Sequence, residues 1–130
     1  MILEHRPTQI SAEASERRSQ EENRQEAVFR LRIRLALEVR HAVSIPYRPS
    51  ARWSARCRGG QVAVNPRHED FPALLAEALD VVFCYEHDVK LAAASLACTP
   101  SQLTKLLQLE PRAISVVNQA RQQQGLHRLK

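Results

Sequence analysis

Arginines dominate the residues of this chain that could do chemistry. Arg30, Arg32, Arg34, Arg40, Arg48, Arg52, Arg56, Arg58 and Arg67 fall within residues 27–68, where Glu38 is the one acid; nine positive groups against one negative leave +8. A one-sided charge of this density is the footprint of a phosphate-backbone partner, because a merely solvated face usually mixes both signs. A guanidinium forks onto phosphate oxygens and stacks on bases, which an ammonium does not. The same stretch holds Gly59-Gly60-Gln61, with Tyr47 and Trp53 nearby. Arginine and aromatic side chains together grip unpaired bases through charge and stacking. Two adjacent glycines also suit a tight primed turn, which explains Gly59-Gly60 without catalysis. Trp53 fits packing as well as it fits stacking.

The rest of the chain is charged differently. Residues 69–110 carry seven acids against Lys90 and Lys105, a net of −5, and the last twenty residues carry four basic groups and no acid. A helix over 100–108 would expose Ser101, Gln102, Thr104, Lys105 and Gln108, and such side chains hydrogen-bond base edges. Phosphate contacts supply most of the affinity for nucleic acid, however, and an acidic setting opposes them. A packing or protein-docking bundle therefore suits this region better than a reader of duplex DNA. The tail residues Arg121, His127, Arg128 and Lys130 are basic enough to touch RNA. The five histidines are scattered and no C-x-x-C pair occurs, so no metal site is expected. No phosphate-binding glycine loop or nucleophile elbow is present, and no small-molecule cofactor is expected. No apolar run approaches the ~20 residues that cross a bilayer. The first residues lack a signal-peptide pattern. Those two absences predict no membrane partner and a cytoplasmic location. Cys57, Cys84 and Cys98 would stay reduced there, with Cys84 and Cys98 packing as small hydrophobes.

The elements that must position these groups are legible in part. Residues 8–14 alternate polar and small apolar side chains, as a short strand does. Ser19 with Glu22 makes a capping box for a helix running to about His41, with Val28, Leu31, Leu35 and Val39 along one face. Pro46 and Pro49 open a linker. Ala51–Arg58 and Gln61–Asn65 are predicted to pair as a hairpin about Gly59-Gly60. Asp70 caps a helix with Pro72 in its first turn. Asp88 caps a short helix over Val89–Ala97, and Thr99 with Gln102 caps another, with Pro100 at its first position. Pro111 starts a last helix that ends near Gly125. Three short helices over residues 88–124 have the spacing of a helix-turn-helix. Leu91, Ala92, Leu96, Leu103, Leu106, Leu107, Ile114 and Val117 are its expected core.

Two blocks near the N-terminus carry a further signal. Leu3-Glu4-His5-Arg6-Pro7-Thr8-Gln9-Ile10 resembles the L-T-H-x-P-T-G-I strand of class I peptide chain release factors and their ribosome-rescue relatives. Arg18-Ser19-Gln20-Glu21-Glu22-Asn23-Arg24 resembles the R-S-Q-x-x-N start of the helix in the same catalytic domain, and the spacing between the blocks fits. The resemblance covers residues 1–40. It departs at Gln9, where the family has Gly, and at Glu21-Glu22, where the family often has His-Lys. It implies peptidyl-tRNA hydrolysis in the family, performed by a Gly-Gly-Gln loop that precedes both blocks. Here the tripeptide follows them, and like the family loop it is followed by a Val and an Asn, Val64-Asn65. A mis-started reading frame and a degenerate paralogue both account for the missing upstream loop.

The sequence thus predicts a mainly helical α+β chain. A release-factor-like remnant spans 1–45, with a short strand and a long helix. A basic linker with a small β-hairpin spans 46–68, and a helix-turn-helix-like bundle spans 69–130. The expected function is ribosome or RNA binding, to rRNA or tRNA, with peptide release absent from this chain and Gln61 its only catalytic candidate. The nucleic-acid contacts are assigned to Arg18, Gln20, Asn23, Arg24, Arg30, Arg34, Arg52, Arg56, Arg58 and Lys105. A helix-turn-helix DNA-binding regulator and a protein-interaction module are the alternatives.

Overall fold

Pro7 and Thr8 lie at the bend of a β-hairpin in the computed structural model, which describes residues 1–130. Strand β1 (Ile2–His5) runs antiparallel to β2 (Ile10–Glu13), with His5 opposite Ile10 and Ile2 opposite Glu13. The strand expected over 8–14 is therefore shorter, and it has a partner that the alternation did not reveal. Local side chains make the bend. Thr8 and Gln9 N–H groups donate to the His5 carbonyl at 3.2 and 2.8 Å, and His5 Nδ1 shares a 2.8 Å hydrogen bond with Thr8 Oγ1. Gln9 closes the bend at φ +60°, in the left-handed region.

Helix α1 (Gln20–Glu38) starts as its cap predicts, with Ser19 Oγ accepting from Glu22 N–H at 3.0 Å. It stops three residues short of His41. Arg40 folds back onto the last turn and donates to the carbonyls of Ala36, Leu37 and Val39 at 2.6, 2.6 and 2.9 Å. Those carbonyls have no partner inside the helix, so a cation there ends it well. The helix lies between the β1–β2 hairpin and α3 (Phe71–Cys84). Two neighbours on different sides share its apolar surface. Val28, Leu31, Leu35 and Val39 are accordingly half-buried, and Ala27, Ile33, Ala36 and Leu37 are the buried set.

The largest departure is at residues 51–58. Ala51–Arg56 is a helical turn, α2, and the hairpin that follows is reduced to β3 (Cys57–Arg58) and β4 (Gln61–Val62). Ser50 caps α2, accepting from Trp53 N–H at 3.1 Å, and Trp53 is fully buried with its indole N–H donating to the Leu96 carbonyl at 2.7 Å. Burying the largest side chain of the chain with its donor satisfied selects helix over strand. The turn itself matches expectation: Gly59 and Gly60 have φ of +58° and +83°, the signs of a type I′ turn.

The C-terminal half is helical throughout: α3, α4 (Val89–Ser95), α5 (Pro100–Gln108) and α6 (Pro111–Gln123). Asp88 and Thr99 cap α4 and α5 by accepting from Leu91 and Gln102 N–H groups, each at 3.1 Å. Asp70 does not cap α3; its carboxylate turns to Arg56 instead. The reciprocal half of the Thr99 box is replaced as well, because Thr99 N–H donates to the Gly60 carbonyl at 3.0 Å. Starting α4 at Asp88 turns Val89, Ala92 and Ala93 inward and leaves Leu91 53% exposed, so Leu91 is no core residue. Thr104 is buried, not exposed, and its hydroxyl donates back to the Pro100 carbonyl at 2.9 Å. One buried cluster joins Ile33 and Leu37 of α1, Trp53, Val62, Phe71, Leu74, Leu75, Leu79 and Val82 of α3, and the α4–α6 core through Val117.

Candidate nucleic-acid interface

The assigned basic residues meet different surroundings. Along α1, Arg24 holds both carboxylate oxygens of Glu21 through Nε and Nη2, at 2.9 and 2.7 Å. Arg30 forks onto Glu16 at 3.0 and 2.6 Å, reaches the Glu13 carbonyl at 2.8 Å and lies 3.2 Å from Glu26. Arg34 forks onto Glu38 at 2.8 and 3.2 Å and donates to the Ser11 carbonyl at 2.6 Å. The bonds to the Glu13 and Ser11 carbonyls tie α1 to the β1–β2 hairpin. The Arg30 guanidinium, followed by the Ser15 N–H, pulls the Glu16 carboxyl down to about 2. Arg52 and Arg56 converge on Asp70, at 3.7 and 3.1 Å, and the Arg56 hydrogen bond leads in lowering that carboxyl.

Asn23 also has a structural task. Its amide oxygen accepts from Arg17 N–H at 2.9 Å and its amide nitrogen donates to the Arg17 carbonyl at 3.1 Å, fixing the passage from β2 into α1. Gln20, on the first turn of α1, is exposed, and so is Arg18 just before it, whose guanidinium holds no carboxylate. Arg58 pairs across the second hairpin with Gln61, and both are exposed. Of the ten assigned residues, Arg30 and Arg34 line one recess beside β2, each already held by a carboxylate, and Arg52 and Arg56 come together on Asp70.

The two aromatic candidates are committed to the interior. Trp53 is buried, and the half-buried Tyr47 donates its hydroxyl to Glu77 at 2.6 Å; burial and that carboxylate push the phenol well up. Glu77 also accepts from the Ser50 N–H and hydroxyl, at 2.8 and 2.6 Å, so it clamps the 43–50 segment onto α3. Neither ring is free to stack on a base.

Gly59-Gly60-Gln61 is fastened at its second residue. Besides the bond from Thr99, a Cβ added at Gly60 would come 3.2 Å from the Thr99 methyl. The turn is thus built to seat on the start of α5, while the Gln61 side chain remains in solvent. No group of three or more His, Cys, Asp or Glu side chains is placed to hold a metal ion, and no helix is long and apolar enough to cross a membrane.

Lys105 stands in a different setting. It lines a cleft of about 730 Å³ together with Lys90, Arg121, Arg128 and Lys130. Lys90 and the tail cations lie 15 or more residues from Lys105 in sequence. No periodicity or motif links them; only the folding of α4, α5 and the tail does. The chain matches no protein-family model, no curated protein and no solved structure.

Proposed function

We propose that this chain is a release-factor-like protein that binds the ribosome through RNA and does not itself hydrolyse peptidyl-tRNA. Gln9 carries the reading. Its backbone is left-handed, at φ +60°, at the one position of the turn where the release-factor motif has glycine. Glycine adopts that conformation freely, whereas a side chain there costs about 1 kcal/mol. A turn that keeps a glycine's conformation without the glycine supports a hairpin inherited with the motif. His5, Thr8 and Asn23 support it further, since each fastens the hairpin or its passage into α1. On this reading the motif residues hold a scaffold, and exposed Arg18 and Gln20 on it, with Arg58 of the second hairpin, are the candidates for RNA. The only Gly-Gly-Gln is a turn seated on α5, which gives hydrolysis no support.

Sedimentation with ribosomes through a sucrose cushion is the test. The expected result is salt-sensitive co-sedimentation, weakened in Arg18→Ala/Arg58→Ala, with no peptide released from ribosomes holding peptidyl-tRNA. Failure to sediment with ribosomes at low salt would sink the proposal. Peptide release that disappears in Gln61→Ala would overturn its second half.

One observation favours a second reading, a helix-turn-helix reader of duplex DNA. Ala97 takes φ +57° between α4 and α5, giving the tight joint such a motif uses. That reading needs α5 to project into a major groove. Here α5 lines a cleft together with α4 and the tail.

A further inference from the structure

We infer that the cleft over α5 is a site for the phosphate backbone of single-stranded RNA. The proposed function enters only in choosing RNA as the polyanion; the site itself stands on the geometry of the C-terminal half. Thr104, Lys105 and Gln108 of α5 form its floor, the first turn of α4 with Lys90 one wall, and the tail with Arg128 and Lys130 the other.

Its charge is free. Lys90, Lys105, Arg128 and Lys130 are exposed and none is paired with a carboxylate. Asp88 is the single acidic side chain lining the cleft, and it is occupied as the α4 cap. One small anion would engage two or three cations and leave the others facing solvent. Four unpaired cations around an open cleft of about 730 Å³ suit a chain of phosphates.

The far wall is held in place. Asn118 brackets Leu129, its Oδ1 accepting from the Leu129 N–H at 2.7 Å and its Nδ2 donating to the Leu129 carbonyl at 3.2 Å. Arg121 donates to the His127 carbonyl at 2.6 Å and to the His87 carbonyl, joining the tail to the start of α4. Arg121 is thus a positioning residue, and Arg128 and Lys130 are presented on either side of the bracketed Leu129. Such ordering lowers the entropic cost of binding.

Two features choose the occupant. No aromatic side chain lines the cleft, so bases have nothing to stack on and recognition is of the backbone. The α5 face that carries Lys105 and Gln108 shares one cleft with α4 and the tail, which suits a single strand laid along it better than entry of the helix into a duplex groove.

Binding of the full chain to a labelled, mixed-sequence single-stranded RNA and to a matched DNA duplex, across a salt series, tests this. Lys90→Ala/Lys105→Ala/Arg128→Ala/Lys130→Ala should weaken RNA binding about tenfold or more at low salt, and flatten the log–log salt slope by about 0.7 for each phosphate that is no longer neutralised. Gln108→Arg, which adds a cation to the floor, should steepen the slope by about 0.7. Parental binding by the quadruple variant overturns the inference, as does an unchanged slope in Gln108→Arg. Tighter binding to the duplex, abolished in the same quadruple variant, overturns the choice of RNA in favour of a duplex reader. RNA binding through the cleft without co-sedimentation with ribosomes leaves the inference standing and removes the proposed function alone.

Discussion

Along α1, Arg24, Arg30 and Arg34 each lie against a carboxylate one turn away, and Arg30 also holds Glu16 in the passage from β2, whereas Lys90, Lys105, Arg128 and Lys130 around the C-terminal cleft meet none. By linear count the ranking is reversed: residues 27–68 sum to +8 and residues 69–110 to −5. Arg30, Arg34, Arg52 and Arg56 are the arginines of that segment that meet a carboxylate, and the acids Glu16, Glu26 and Asp70 come from outside it. The acids of α3 are likewise used away from the cleft, Glu77 on Tyr47 and Ser50 and Asp80 on the His41 N–H. A charge field follows from pairing in space, and an arginine already forked onto a carboxylate offers little to a phosphate.

Trp53→Ala should have the largest effect on this contrast. The indole ties α2 and the basic hairpin to Leu96, just before the joint that leads into the cleft floor. Its removal is expected to lower stability by about 3–5 kcal/mol in urea unfolding and to weaken RNA binding at the distant cleft as well. A decrease below about 1 kcal/mol would mean that the two regions are not held together by this indole.

Thr99→Ala is next. It removes the cap of α5 and the methyl on which Gly60 sits, and should cost about 1 kcal/mol. Gly60→Ala presses on the same methyl from the other side at φ +83°, so the double variant should cost less than the two single effects summed. Strict additivity in thermal melts would show that the turn and the helix start are independent.

At the N-terminal end, Gln9→Gly should stabilise the chain by about 0.5 kcal/mol, as relief of the left-handed strain is partly offset by a more flexible unfolded chain. A destabilised variant in the same melts would remove the argument that this turn retains a glycine's geometry.

The smallest effect separates paired from free charge directly. Glu16 has its carboxyl lowered from 4.5 to about 2 in the folded chain. Its contribution to stability is therefore complete above the unfolded value and is lost as pH falls through the window toward about 2. Arg30→Ala should make the acid-side decline in urea midpoint shallower over that window, while leaving the salt slope of RNA binding unchanged. The effect on stability is small, because the pair is exposed to solvent. A flattened RNA slope in Arg30→Ala would place phosphate contacts on α1 after all.

Much of the local structure was decided by the sequence alone. Ser19, Asp88 and Thr99 start helices because each side-chain oxygen takes an N–H that the helix cannot satisfy itself, and Gly59-Gly60 turns because glycine tolerates two positive φ angles in succession. These are interactions over three or four residues, and nearby residue types fix them. Whether Ala51–Arg56 became strand or helix was settled elsewhere, by a pocket for Trp53 and the Leu96 carbonyl 43 residues away. The start of α4 at Asp88 was legible, but which of its faces would be covered, with Val89 inside and Leu91 outside, depended on the core it packs on. The candidate site was divided in the same way. The arginines could be counted from the sequence, but only the tertiary structure decided which would be neutralised, because ion pairing depends on distances that chain separation does not encode. The cleft followed from the same cause: Lys90, Lys105, Arg128 and Lys130 share no local pattern, and α4, α5 and the bracketed tail had to pack before they could share a surface.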